Sequence, residues 1–141
     1  MTFTNRLGII VPSMGSPLQN DTLYLKSGTA LSGTVAQTTT MGSLSPTLRA
    51  GNIRIKFLGG GGTTPALVSV NITVTDGTTT YNIATINPPA AISLSATSGV
   101  DWLVEFLVDI NVSSLSVVTT LSGTNPTTTM DIEVAGTTGN S

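Results

Sequence analysis

The stretch Val68–Ile86, VSVNITVTDGTTTYNIATI, carries the strongest local structural signal in the chain. Apolar residues occupy every second position up to Val74, and polar residues fill the positions between them. This period of two is typical of a half-buried β-strand. Asp76-Gly77 is the residue pair preferred in two-residue hairpin turns, so we predict an antiparallel hairpin closed on it. The apolar pairs facing each other are then Ile72 with Tyr81 and Val70 with Ile83.

The same alternation recurs on both sides of this hairpin. Further strands are predicted at Ile53–Phe57, Ile92–Ala96, Val100–Val112, Leu115–Leu121 and Met130–Val134. The run Gly59–Gly62 is predicted to be a flexible connector, and 122–126 a turn, because Gly and Pro interrupt strands. Seven strands at intervals of about 8–14 residues indicate an all-β fold, an antiparallel β-sandwich of immunoglobulin-like or jelly-roll type.

Val100–Val112 is the one segment in which a helix also has support. Leu103, Phe106 and Leu107 share helical spacing, but every second residue from Trp102 onward is apolar, as a strand requires. A helix would also stack three carboxylates four residues apart, which is repulsive. We therefore predict a long strand.

The chain divides by composition near residue 50. Residues 1–50 are rich in Gly and Pro and are predicted to be an N-terminal arm or accessory strands, with extended pieces at Leu7–Val11, Thr22–Lys26 and Thr29–Ala36. Residues 51–135 are predicted to form the β-sandwich core, and 136–141 a frayed C-terminal tail.

The composition excludes several kinds of chemistry. The 141 residues contain no Cys, no His and only seven carboxylates, so disulfides, thiol or imidazole catalysis and Cys/His metal sites are excluded. Asp131 and Glu133 share a strand face, but the solvated face of an edge strand explains them better than a glycosidase pair. Asp76 suits a turn, and Gly59–Gly62 lacks the Lys of a phosphate-binding loop. We predict no enzyme activity, no catalytic residue, no cofactor and no metal.

The surface is predicted to be unusually poor in charge. Only 9% of residues are charged, against about 25% in ordinary domains, while Thr and Ser are abundant. Such a surface tolerates contact with other protein. A negative net charge and few aromatic residues argue against nucleic-acid binding, and no apolar run reaches the length of a membrane span. The apolar run at Leu7–Val11 is too short for a secretory signal, so synthesis in the cytoplasm is expected.

Three of the five basic residues lie within eight positions, at Arg49, Arg54 and Lys56. Two interpretations are open: pairing across the sheet with the acidic residues 101, 105 and 109, or a basic patch that meets an acidic partner. Trp102 is expected in the core, since sandwiches commonly bury such a residue, with sugar stacking as the alternative.

A short chain without Cys or His, rich in Thr, Ser and Gly, with spaced strands from Ile53 to Val134 after a Pro/Gly-rich segment, resembles the head decoration (cement) proteins of tailed bacteriophages. The resemblance is one of composition and organisation. It implies a structural virion protein on the capsid surface that binds the major capsid protein, oligomerises, most often as a trimer, and often attaches by extended terminal arms. Residues predicted to bind the partner are Leu7, Ile9, Ile10, Val11, Leu23, Tyr24, Leu25, Arg49, Arg54 and Lys56.

Two other functions stay open. One is a carbohydrate- or receptor-binding β module of a phage tail appendage or adhesin, with contacts from loops 59–65, 87–91 and 122–127. The other is a tail-tube or head-completion subunit whose flat β-edges join into rings.

Overall fold

The computed structural model describes residues 22–95, 97 and 99–138. All regular secondary structure in these ranges is β-strand, and the strands pair antiparallel within one curled sheet. They are β1 (Thr22–Ser32), β2 (Gln37–Met41), β3 (Leu48–Phe57), β4 (Gly61–Thr75), β5 (Thr80–Ile86), β6 (Ile92–Ser93), β7 (Val100–Val112) and β8 (Ser114–Thr138). Within these ranges no helical segment has the length and apolar character to cross a bilayer.

Strand β8 organises the sheet because it is 25 residues long and its two ends have different neighbours. The first part, up to Ser122, pairs with β2 on one edge and β4 on the other. The second part, from Thr127, pairs with β1 and β3. Since β5 and β6 pair with β4 and β7 pairs with β3, the sheet has two halves. We call them the β4 half (β2, β4, β5, β6 and the first part of β8) and the β3 half (β1, β3, β7 and the second part of β8).

The two parts of β8 face each other across the core. The Thr119 hydroxyl donates a hydrogen bond to the Met130 sulfur at 3.9 Å, although a fully extended segment of 11 residues would span roughly 36 Å. The strand therefore bends sharply between these residues. Gly123 and Asn125 have positive φ, 115° and 49°, and mark the bend. The curled sheet thus closes into the predicted β-sandwich.

The core lies between the two halves and follows the alternation of the strands. Strands β3, β4 and β8 each contribute alternate side chains to it over most of their paired length, and the side chains between them point outward. The completely buried members include Ile53, Ile55 and Phe57 of β3, Val70, Ile72 and Val74 of β4, and Val117, Met130, Ile132 and Val134 of β8. Trp102 packs against this core with its ring edge-on to Phe57, as expected, at a centroid distance of 6.3 Å.

Gly59–Gly62, predicted to be a flexible connector, belongs instead to a tightly packed corner of the sheet. Gly62 has φ +93°, and a Cβ at this position would lie 2.7 Å from the Thr124 carbonyl oxygen and closer still to that of Asn125. A Cβ on Gly123 would in turn lie 2.6 Å from the Thr64 carbonyl oxygen. Strands β4 and β8 therefore bend together, backbone against backbone, and only glycine fits there.

The hairpin exists, but its predicted register is wrong. The structure pairs Thr75 with Thr80 and Val74 with Tyr81, so the loop holds four residues, Asp76–Thr79. The Asp76 carboxylate accepts hydrogen bonds from the amides of Thr78 and Thr79, which widens the turn. A bulge after Ile72 then shifts the register once more, so that Val70 lies opposite Ile86.

Three other strand predictions need revision or comment. Residues 122–126 do not separate two strands, because β8 continues through them, and β6 is limited to Ile92–Ser93. The pieces predicted at 22–26 and 29–36 form one strand to Ser32, with a bulge between Lys26 and Thr29.

The described part of the predicted N-terminal segment 1–50 belongs to the sheet. Strands β1 and β2 both pair along β8, and residue 50 lies inside β3. The piece at 7–11 and the last three residues lie outside the described residues.

The corner generates a test with an internal control. Gly62 and Gly77 have nearly the same φ, +93° and +98°, but nothing lies within 4 Å of a Cβ on Gly77. We expect Gly77→Ala to lower the free energy of unfolding by about 1–2 kcal/mol through backbone strain alone. Gly62→Ala must also displace backbone carbonyls and should cost more than about 4 kcal/mol. Urea denaturation of both variants measures the difference, and equal losses would show that the corner is not tightly packed.

Candidate assembly surfaces

Charge is distributed unequally between the two halves of the sheet. None of the strands of the β4 half contains Asp, Glu, Lys or Arg. All nine charged residues located in strands belong to the β3 half: Lys26, Arg49, Arg54, Lys56, Asp101, Glu105, Asp109, Asp131 and Glu133. The molecule therefore presents one charged and one uncharged outer sheet face.

The outer face of the β3 half is built in rows across four strands. In one row Leu25 of β1 lies beside Glu133 of β8, which lies beside Arg54 of β3, and Arg54 lies beside Leu103 of β7. In the adjacent row Asp131, Lys56 and Asp101 follow each other on β8, β3 and β7. Acidic and basic side chains thus alternate across the middle of this face.

A bidentate ion pair lies at the centre of these rows. The Arg54 guanidinium donates to both oxygens of Asp101, at 3.0 and 2.7 Å, and both side chains are nearly half exposed. The hydrogen bond from Arg54 holds the pKa of Asp101 below its usual value, and the same bond raises the pKa of Arg54. Pairing across the sheet, one of the two interpretations of the basic cluster, is therefore confirmed for Arg54.

Among the described residues, the large exposed apolar side chains of this face stand on its two outermost strands. The exposed fractions are 61% for Leu23 and 64% for Leu25 on β1, and 65% for Leu103 and 83% for Leu107 on β7. The inner strands β8 and β3 carry charged residues together with small side chains such as Ala135, and β7 carries acidic residues between its leucines. Apolar side chains therefore lie at both margins of a charged face.

The outer face of the β4 half consists mainly of hydroxyls and amides, with Val118 in its middle and Val68 of β4 also exposed. Its members are Thr38, Thr40, Ser69, Asn71, Thr73, Asn82, Thr85, Ser116, Val118 and Thr120. Several of these side chains bond to each other, for example Thr40 with Ser116 at 3.2 Å and Thr85 with Asn71 at 2.8 Å. Removing water from such a face costs less than removing it from a charged face, since several of its polar groups already have partners and it bears no charge.

An open cleft of about 700 Å³ lies where the edge of β5 approaches the edge of β7. The Tyr81 hydroxyl donates to the Asp109 carboxylate at 2.9 Å, and Arg49 donates to the Asp109 carbonyl oxygen at 3.0 Å. The bond to Asp109 raises the pKa of Tyr81. The Tyr81 contact joins the two halves of the sandwich at their margins, and the Arg49 contact lies within the β3 half.

The structure brings together four of the residues predicted to bind a partner. Leu23, Leu25, Arg54 and Lys56 share the outer face of the β3 half. Tyr24 points the other way, packs against the core and donates to the Pro46 carbonyl oxygen at 2.6 Å. Arg49 lies in the cleft, away from that group. The remaining predicted residues, Leu7, Ile9, Ile10 and Val11, lie outside the described residues.

Two residues of this surface were missed. Leu103 and Leu107 are exposed on the same face as Leu25. The sequence analysis considered them only as residues at helical spacing and did not predict that they bind a partner. The signal that could have found them is the alternation itself, which places both on the side of Asp101 and Glu105.

No family model matches the sequence, and a search of curated proteins finds no significant relative. Among solved structures, the VP2 subviral particle of infectious bursal disease virus superimposes with a TM-score of 0.53, at 15% identity, over 92% of this chain and 38% of that chain. The particle of the Gx strain of that virus gives 0.48 at 17% identity, over 93% of this chain and 38% of that chain. The chain thus spans less than half the length of these proteins. The superposition at 0.53 gives the chain a viral capsid-like fold.

The ion pair generates a pH-dependent prediction. Because the pKa of Asp101 is lowered in the folded state, the contribution of the pair to stability is present above the ordinary carboxyl pKa of 3.8 and is lost as the pH falls through the lowered value. We expect Asp101→Asn to reduce the urea midpoint at pH 7, and the difference from wild type to disappear in acid.

Glu105→Gln serves as the control, since it removes a carboxylate from the same face of β7 and leaves the pair with Arg54 intact. A loss of the same size and pH dependence in both variants would contradict a specific role of the pair.

Proposed function

We propose that this chain is a structural, non-enzymatic protein of a virus particle, and that it decorates a bacteriophage head. It binds the major capsid protein on the outside of the capsid, as a homo-oligomer for which three copies are favoured, after synthesis in the host cytoplasm. The observation that carries the proposal is the fold shared with the VP2 subviral particle. The composition supports it, since 9% charged residues leave much of the surface suited to contact with protein.

The uncharged face of the β4 half is the surface that we assign to the capsid. The centres of protein interfaces are depleted of charged residues, because removing a charge from water is costly. The face around Ser116 has no charge to desolvate, and the Ser116 hydroxyl keeps Thr40 as its partner within the sheet. Many weak copies of such a contact on one lattice produce firm attachment.

The carboxylates support a structural role. Asp76 caps its turn, Asp101 pairs with Arg54, and Asp109 accepts from Tyr81. Asp131 accepts from the amide of Gly28 at 2.7 Å. Among the described residues no three acidic side chains converge as a metal site requires. These four groups hold strands and turns, which gives each of them a structural role.

The carbohydrate-binding alternative has less geometric support. Two of its three loops, 59–65 and 122–127, pack against each other at the corner, backbone to backbone. The glycines at this contact have no side chain with which to bind a ligand. The tail-tube or head-completion alternative shares the structural character of the proposal and differs from it in the location within the particle.

The proposal is tested by adding the purified chain to expanded phage capsids that lack decoration and measuring bound copies by sedimentation and cryo-electron microscopy. We expect saturation at a fixed number per lattice unit. Ser116→Lys, which places a charge in the middle of the uncharged face, should weaken attachment by about tenfold or more, equivalent to at least ~1.4 kcal/mol.

Asn52→Lys is the matched control, because it adds the same charge at a half-buried outer position of the β3 half. It should bind like wild type. Absence of lattice binding by the wild-type chain contradicts decoration, and equal loss in both variants contradicts the assignment of the face.

A further inference from the structure

We propose that copies of this chain join head to tail by sheet continuation, with β7 of one copy pairing antiparallel to β1 of the next. The occupant of each free edge is therefore a second copy of the chain. The inference deepens the self-association in the proposed function and rests on it, but it does not require a capsid.

The placement of exposed leucines marks these two edges. Strands β1 and β7 are the outermost strands of the β3 half, and among the described residues neither has a strand on its outer side. Leu23 and Leu25 lie on the first edge, and Leu103 and Leu107 on the second, each more than 60% exposed. An added strand would cover such side chains by direct and diagonal pairing across the junction.

Strand direction allows the junction without rearrangement. Every neighbouring pair in the row β1, β8, β3, β7 is antiparallel, so β7 runs opposite to β1. A second copy placed beside β7 in the same orientation therefore presents its β1 antiparallel, with the same outer face up. The leucines of the two copies then lie on one side of a continuous sheet.

Charge restricts which edges can meet. Asp101, Glu105 and Asp109 share the outer face of β7 with its leucines, so pairing β7 with another β7 would bring carboxylates together. The outer face of β1 carries Leu23 and Leu25 and no acid, since Lys26 lies on the other side, opposite Ile132. Charge therefore disfavours β7 against β7 and permits the heterologous junction, which closes into a ring when the rotation between copies permits.

The remaining edges are protected by comparison. Strand β2 has only five residues and β6 only two, and β5 has seven with a bulge opposite Ile72. Short, irregular edges resist pairing with other chains. On β7 the Tyr81 contact covers the end at Asp109, so that the open stretch is Asp101–Leu107.

The experiment uses two full-length variants, Leu25→Glu for the β1 edge and Leu107→Glu for the β7 edge. Each puts a carboxylate among the leucines of its edge, and two altered edges brought together repel each other. Both sites are exposed, so the folds should be intact by circular dichroism. Native mass spectrometry of wild type should show a multiple of 14.4 kDa, and each variant alone should show 14.4 kDa. Val35→Glu, at a side chain 78% exposed outside both edges, should assemble like wild type.

The decisive sample is the mixture of the two variants. One intact β7 and one intact β1 remain, so a dimer of 28.8 kDa, twice 14.4 kDa, is expected and nothing larger. A monomeric wild type, a mixture that stays monomeric, or assembly impaired by only one variant would each overturn the inference. Capsid binding is measured separately. If copies assemble as predicted but do not bind capsids, the proposed decoration function is contradicted, while the proposed junction between β7 and β1 is supported.

Discussion

The fold depends on one long strand that crosses from one side of the core to the other. Strand β8 can do so only because it bends near Gly123, which brings Thr119 and Met130 into contact. The bend is possible because Gly62 on the neighbouring strand has no side chain to collide with it. The buried apolar side chains of both halves then face each other, and their removal from water stabilises the bend that placed them there.

This architecture also determines where charge resides. Because β8 supplies its hydroxyl-rich first part to one half and its acidic second part to the other, a single strand contributes to both types of surface. The neighbouring strands are divided in the same way. Strand β3, in the β3 half, carries three basic residues, whereas β4, in the β4 half, carries no charged residue. A protein with so few charges thereby has one face that is easily desolvated and another that is electrostatically patterned.

The two surfaces suit different kinds of contact. A flat, uncharged hydroxyl face forms contacts that depend on shape and on close packing more than on specific ion pairs. The charged face has its apolar residues at the margins, where strand pairing supplies main-chain hydrogen bonds and a defined direction. A building block that contacts a lattice through one face and its own copies through its edges needs both properties.

The alternation of apolar and polar residues was enough to establish the extent of β7 and the all-β class, because burial on one side of a strand imposes a period of two directly on the sequence. The hydrogen bonds of Asp76 that moved the hairpin register, and the corner through which β8 continues, were decided by the tertiary structure. So was the meeting of Leu25, Arg54 and Leu103 on one face, although the outward direction of each side chain was implicit in the pattern. Local periodicity records which side of a strand is buried, but it holds no information about which distant strand lies alongside, since that depends on packing across the whole core.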